Sequence, residues 1–370
     1  AGLNAGYHLA KQGYRVTIFE ALPAAGGMLA AGIPEFRLPR RVLREDIDFI
    51  AALGVEIRLN CPAASIDEIR SQGYSAILLA TGAHKGEKLG MSGEDIHGVF
   101  DGVGYLRKIN LGGRVDTGKK VAVIGGGNVA IDAARSAMRL GAESVTVIYR
   151  RPRRDMPAND EEICEAESEG IQILDSTSSL QILGSKTHVF GIECLRTSSG
   201  TYDSSGRRRP EIIPGSDFCL EADTVIAAVG QIPDISFLSQ NDGIALNGNN
   251  TIVVNKITLE TACKGVFAAG DNVTGPATVI EAMAGGERAA ISIDRYLRGI
   301  PLEVERFIEN KTPVDIPWSE EEVDLGARRQ MPGLTSAGRS RNFNETNLGY
   351  SKETAIQEAR RCLRCDLKGN

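Results

Sequence analysis

Long apolar runs are missing from this chain of 370 residues, and so are tryptophan (one), histidine (four) and any excess of positive charge. Each scarcity excludes something. No stretch is apolar for long enough to cross a bilayer, so membrane insertion is not expected, and no signal-peptide pattern opens the chain. A formal net charge of −6 argues against a nucleic-acid-binding surface. Seven cysteines over this length do not make a disulfide framework. Five are scattered (Cys61, Cys164, Cys194, Cys219 and Cys263), and reducing cytoplasm is the expected compartment. The histidines, His8, His84, His97 and His188, fall in no triad or ligand spacing and read as structural or surface residues. Glycine, by contrast, is plentiful at 42 residues, more than a typical globular chain carries.

The most informative glycines stand in Lys120-Val-Ala-Val-Ile-Gly-Gly-Gly-Asn-Val-Ala130. Residues 121–124 read as a buried parallel strand. Gly125, Gly126 and Gly127 break it, and residues 128–140 have helical spacing, with Val129, Ala133, Ala137 and Leu140 on one face. A second strand follows over residues 144–149. This is the order a dinucleotide site needs: glycines let backbone amides approach a pyrophosphate, and a helix N-terminus adds partial positive charge. Ala130 replaces the consensus third glycine. Gly125, Gly126, Gly127, Asn128 and Val129 are the candidate contacts, against the alternative of a plain glycine-rich turn. The second strand ends in Tyr149-Arg-Arg-Pro-Arg-Arg154. An NAD site would place an acid there. Arg150 and Arg151, with Arg153 and Arg154 close by, suit a 2′-phosphate instead, which favours NADPH. A solvated basic loop is the other reading.

The pattern occurs twice. Residues 2–13 read as a helix and residues 15–20 as a strand ending in Glu20. After a one-residue shift Glu20 falls opposite Arg150, so the first copy suits an unphosphorylated ribose, as in FAD. Residues 53–59 resemble 169–174, and residues 76–82 resemble 225–230, the second pair closing on Gly82 and Gly230. The first copy is interrupted by the second. A FAD-binding domain is expected over 1–115 and 231–305, an NADPH-binding domain over 116–230, and a tail over 306–370. Residues 186–220 suggest a hairpin, residues 278–297 a long return helix, and residues 351–365 a Ser-capped final helix.

Further motifs carry a family resemblance. Glu20-Ala-Leu-Pro-Ala-Ala-Gly-Gly-Met28, Gly32-Ile-Pro-Glu-Phe-Arg-Leu-Pro39, Ala80-Thr-Gly82, Gly270-Asp271, Thr278-Val-Ile-Glu-Ala282 and the segment 149–158 together resemble the two-dinucleotide-binding-domain flavoproteins. Within them the chain is similar, over essentially its whole length, to the small (β) subunit of NADPH-dependent glutamate synthase and its relatives. The resemblance implies an α/β fold of two Rossmann-like domains with a helical tail. It implies FAD contacts at Gly2, Glu20, Gly26, Gly27, Met28, Arg37, Thr81, Gly82, Gly270, Asp271, Thr278 and Val279. NADPH contacts are implied at Gly125–Gly127, Asn128, Val129, Arg150, Arg151 and Gly230. It implies an oxidoreductase passing hydride from NADPH to FAD, then single electrons to iron–sulfur centres of its own or of a partner: a large catalytic subunit or a ferredoxin-like acceptor.

The chain departs from the family pattern at both ends. It begins at Ala1 without the opening strand and the first glycines of the FAD loop, and reads as a fragment of a longer protein. Near its other end stand Cys362 and Cys365, which resemble half of a four-cysteine [4Fe-4S] site. A structural zinc, a disulfide redox pair and inert helix cysteines are the alternatives. A self-contained disulfide reductase and an assembly subunit without flavin are the rival functions; no acid–base constellation points to an organic substrate.

Overall fold

Short apolar runs, each ended by a turn, decide the architecture. A computed structural model of the chain describes residues 1–202, 206–239, 242–303, 326–339 and 341–362. At the centre of a five-stranded parallel sheet lies Lys120–Ile124, buried from its second residue onward. A strand covered on both faces reads as such an unbroken apolar run. Ser144–Ile148 and then Gln172–Leu174 extend the sheet on one side, and Thr224–Ala227 followed by Val99–Asp101 on the other. Successive strands thus run outward from the glycine strand and then change direction beside it, which is where open α/β sheets bind ligands.

One face of this sheet is covered by the helix Asn128–Arg139, whose Ala130, Ala133, Ala134 and Ala137 are wholly buried among Val121, Val123, Val145 and Val147. Alanines let the helix axis approach the strands. On the other face Ile124 and Ile148 pack against Ile182, Val189 and Ile192. The hairpin expected between 186 and 220 is part of a four-stranded antiparallel sheet, formed by Thr177–Gly184, Val189–Tyr202, Arg208–Ile212 and Phe218–Glu221. Val99–Asp101 and the helix Gly102–Asn110 stand ahead of the expected boundary at residue 116, yet the strand pairs with Thr224–Ala227. Unpaired, that flank of a buried strand would leave its backbone groups without partners.

The first unit is built from parallel pairs. Thr17–Phe19 pairs with Glu56–Arg58, and Ile77–Leu79 pairs with Val266–Ala268, so the chain returns to the first unit after completing the second. Helix Gly2–Lys11 packs on helix Val279–Leu297 through a core of Ala5, Leu9, Phe267, Ala290 and Ile293. The described part of the tail turns back over both units. Thr346 N donates to Phe36 O at 3.0 Å, Ser336 Oγ to Ser168 O at 2.9 Å, and Arg328 pairs with Glu161 at 2.6 Å. Its last helix, Lys352–Ala359, opens on Ser351, whose hydroxyl accepts from Thr354 N at 3.2 Å. Among the described residues no helix is long and apolar enough to cross a membrane.

Candidate functional site

In the second unit the glycine turn is a place where side chains do not fit. Gly125 has φ +146°, and a Cβ there would overlap the carbonyl of Ala228. A Cβ on Gly126 would overlap the Tyr149 ring. At Gly127, by contrast, the space is open: the nearest atom to an added Cβ is Pro157 Cγ at 3.9 Å. Gly127 is also the N-cap of the helix Asn128–Arg139 and offers no capping side chain. The Asn128 side chain is turned to another task, accepting from Asn159 N at 3.2 Å, while Ala158 N donates to Gly126 O at 3.1 Å. The amides of Asn128 and Val129 therefore stand at the uncapped end of a twelve-residue helix, beside open space. That is the arrangement a phosphate fits.

The arginines after the second strand divide. Arg150 is exposed. Arg151 is buried, and its Nε donates to Arg208 O at 2.8 Å, joining the parallel sheet to the antiparallel one. Arg153 pairs with Glu167 at 2.7 Å, and Arg154 is exposed. Arg208, over the Tyr202 ring at 5.2 Å, comes to this edge from the stretch 186–220 that reads as a hairpin. Its only sequence signal is the run of three arginines at 207–209.

In the first unit several separated residues converge. A Cβ on Gly2 would stand 3.3 Å from Ala80 Cβ; one on Gly270, where φ is +87°, would stand 3.1 Å from Ala1 Cβ. A Cβ on Gly286 would overlap the Ala1 carbonyl. Gly285 and Gly286, absent from the expected set, are detectable as a glycine pair inside an otherwise good helix, a costly choice unless something packs closely. Asn272 is fully buried; its amide donates to Leu79 O at 2.9 Å and Thr81 Oγ1 at 3.4 Å, while its Oδ1 has no partner among the described residues. Burial raises the Asp271 carboxyl above its ordinary value, against the hydrogen bond from the Ala277 amide. Gly26 and Gly27 have φ +117° and +57° and lead into the short helix Met28–Ala31. Glu20 follows the strand Thr17–Phe19 and accepts from Leu22 N at 2.9 Å; burial raises its carboxyl too. Thr278 opens the helix Val279–Leu297 with a capping box: its Oγ1 accepts from Glu281 N at 3.3 Å, and Glu281 accepts from Thr278 N at 2.9 Å. Beside it Val279 and Ile280 are 45% and 69% exposed, an apolar step at a positive helix end. An unpartnered buried acceptor, glycines at positive φ and this step fit a large planar group with a polar chain.

Gly230, Cys362 and Arg37, among the expected residues, lie elsewhere. Gly230 is at the crossing between the units, its carbonyl accepting from Glu87 N at 3.0 Å. Cys362 is exposed near the end of the described tail, and Cys365 lies outside the described residues. Among the described residues no three metal-ligating side chains are gathered. Arg37 is a junction residue. Its Nη1 donates to both Asp132 carboxylate oxygens at 3.0 and 2.8 Å, and its Nε pairs with Glu162 at 3.0 Å. Next to it the buried Phe36 lies against the Arg135 and Arg139 guanidinium groups at 4.8 and 4.0 Å. Arg135, wholly buried, pairs with Glu162, Glu165 and Glu169, and Arg339 of the tail reaches Glu165 and Glu169 at 3.5 Å. Buried charges need such partners. Burial pushes the Asp132 carboxyl up to about 7 in spite of Arg37. At Glu169 burial acts the same way, but hydrogen bonds from Arg139 and Arg135 outweigh it and hold the carboxyl low.

A family profile for pyridine nucleotide-disulphide oxidoreductases matches residues 1–286. The chain is 44% identical to the NADP(+)-dependent formate dehydrogenase subunit beta of Moorella thermoacetica, over 99% of this chain and 53% of that protein. It is 34% identical to the glutamate synthase [NADPH] small chain of Azospirillum brasilense, over 80% of this chain and 65% of that one. It thus spans less than two thirds of the length of these relatives. Mycobacterium tuberculosis FprA in complex with NADPH superposes with a TM-score of 0.68 at 18% identity, over 80% of this chain and 82% of FprA, which shows the fold. The resemblance read from the motifs is borne out: the chain belongs to the pyridine nucleotide-disulphide oxidoreductase family and has the α/β fold of its two-dinucleotide-binding-domain members.

Proposed function

We propose that this chain is the NADPH-oxidising, FAD-carrying part of a larger electron-transfer enzyme of the cytoplasm. The observation that carries the reading is the uncapped helix start at Gly127–Asn128, walled by glycines that admit no side chain and followed one strand later by the exposed Arg150. The amides of Asn128 and Val129 hold the dinucleotide pyrophosphate, and Arg150 takes the 2′-phosphate. In the first unit Glu20 bonds the ribose of FAD, the convergence of Gly2, Thr81, Gly82, Gly270 and Asp271 holds its polar chain, and the helix start at Thr278–Val279 presents positive potential to the ring. Bound flavin supplies the conversion between a two-electron hydride and single electrons. The protein orients the two cofactors and no side-chain nucleophile is needed. The names of the relatives, a subunit beta and a small chain, favour a partner subunit, and single electrons from a flavin suit an iron–sulfur or large catalytic one. Cys362 and Cys365 supply half of a cluster site.

The test is an anaerobic visible titration of the full-length protein. Flavin bands that bleach with NADPH and far less with NADH support the reading. Preferential bleaching by NADH overturns the role of Arg150, and a protein that neither holds nor takes up flavin overturns the whole.

A further inference from the structure

One half-buried titratable side chain, His84, lies outside the residues assigned to either cofactor. His84 follows the turn Ala80-Thr-Gly82 that closes the strand Ile77–Leu79. Its ring lies between two glycine turns that are far apart in sequence. A Cβ built on Gly27 would stand 3.8 Å from His84 Nε2, and one built on Gly82 would stand 3.5 Å from the same atom. Both glycines have positive φ, +57° and +67°, so both turns are committed to conformations in which a side chain is strained. The imidazole thus fills the gap left by two missing side chains.

The backbone that carries the ring is held from behind. Arg107, on the helix Gly102–Asn110, donates to His84 O at 3.0 Å and anchors the backbone. No hydrogen-bond partner holds the ring nitrogens among the described residues. Burial first, and the positive charge of Arg107 second, lower the imidazole below its ordinary value; Asp234 opposes them. These are the charges that act on it, since the turns at Gly27 and Gly82 bring none. The result is a neutral imidazole near pH 7, with an unengaged nitrogen beside two of the residues assigned to the flavin.

We propose that His84 contacts the flavin ring between the two glycine turns and takes up one proton when the ring gains negative charge. This rests on the flavin reading above. The balance is simple. NADPH gives a hydride, two electrons and one proton, and the flavin's charge falls by one unit. His84 takes one proton from solvent, so the charge of the site is unchanged. When the two electrons leave singly for the one-electron acceptor, the proton delivered with the hydride and the one on His84 are both released. A charge buried beside an imidazole raises its affinity for a proton, and histidine is the side chain whose range lies nearest neutrality.

The test is nitrogen-15 histidine NMR on the full-length protein with FAD bound, oxidised and then chemically reduced without oxygen. The His84 signal is identified by its loss in His84→Gln. If that variant does not fold, single replacements of His8, His97 and His188 identify it by elimination. The expected result at about pH 7 is a neutral imidazole in the oxidised protein and a protonated one in the reduced protein, with the other histidines unmoved. A His84 signal that is the same in both states while the flavin is visibly bound and reduced overturns the proposal and leaves the flavin reading standing. A full-length protein that binds no flavin overturns both.

Discussion

Gly126 has the Tyr149 ring where a side chain would go, so the smallest substitution there already disturbs the nucleotide turn. Gly126→Ala is expected to displace the ring and weaken NADPH binding by at least about tenfold, roughly 1.4 kcal/mol, while flavin absorbance is kept. Titration by tryptophan-independent flavin quenching or calorimetry reads it; unchanged affinity would mean that the phosphate site is elsewhere. The two neighbouring arginines separate by burial. Arg150→Ala is expected to raise KM for NADPH by about ten- to a hundredfold and to leave KM for NADH nearly unchanged, because one charge-assisted phosphate contact contributes about 1.5–3 kcal/mol. Arg151→Ala, which empties a buried position and leaves Arg208 O without that donor, is expected to lower Tm more than it alters the cofactor preference. The reverse assignment would exchange the two phenotypes.

Helix starts are where the proposed function places the ligands, and the two involved are not built alike. Asn128–Arg139 has no side-chain cap, whereas Val279–Leu297 has a full capping box from Thr278 and Glu281. The first leaves its amides without a side-chain cap, as a phosphate site requires; the second satisfies part of its own end and keeps its dipole. Thr278→Ala removes the cap hydroxyl, which contributes about 1 kcal/mol, and Tm is expected to fall by a few degrees. Thr278→Ser is expected to restore it, since either hydroxyl makes the same bond. If Ser fails to rescue, the box is not what holds this helix start.

Across the whole molecule the two units and the tail are joined by buried charge. Arg37 comes from the first unit, Asp132, Arg135 and Glu169 from the second, and Arg339 from the tail. Arg37→Ala removes the cation paired with Asp132 and one of the two paired with Glu162, a loss of up to about 3–5 kcal/mol in comparable buried pairs, and it is expected to speed limited proteolysis between the units while flavin stays bound. Loss of flavin with an unchanged Tm would instead restore the cofactor role that the motif implies. The pH dependence has a sign. Glu169 is held below its ordinary value in the fold, so its contribution is complete above the ordinary carboxylate range and is lost as pH falls through the depressed value. Asp132 runs the other way: pushed up to about 7, its ionisation opposes folding above that pH and the opposition is relieved on acidification. Glu169→Gln is expected to lower Tm at neutral pH and to flatten its acid limb; an acid limb identical to that of the unchanged protein would show that the clamp does not titrate there.

Much of this was written locally. The run before Gly125, the alanine face of the helix after it, the serine cap at Ser351 and the opposed charges at Glu20 and Arg150 all depend on neighbours within a few residues. Period, turn chemistry and capping are local rules, so the strand–turn–helix units and the doubled architecture could be read from the chain. What could not be read was who would meet whom. Arg37 and Asp132 are 95 residues apart and bind; Arg150 and Arg151 are adjacent and part, one to the surface and one beneath Arg208. Val99–Asp101 joined the second sheet because a buried strand flank was open to it, and the His84 ring lies beside two turns 55 residues apart because their glycines, Gly27 and Gly82, leave room for it. Sequence alone determined which elements form and which cofactors suit them. Tertiary structure decided which charges are buried and paired, because desolvation and packing act between groups brought together only by the completed fold.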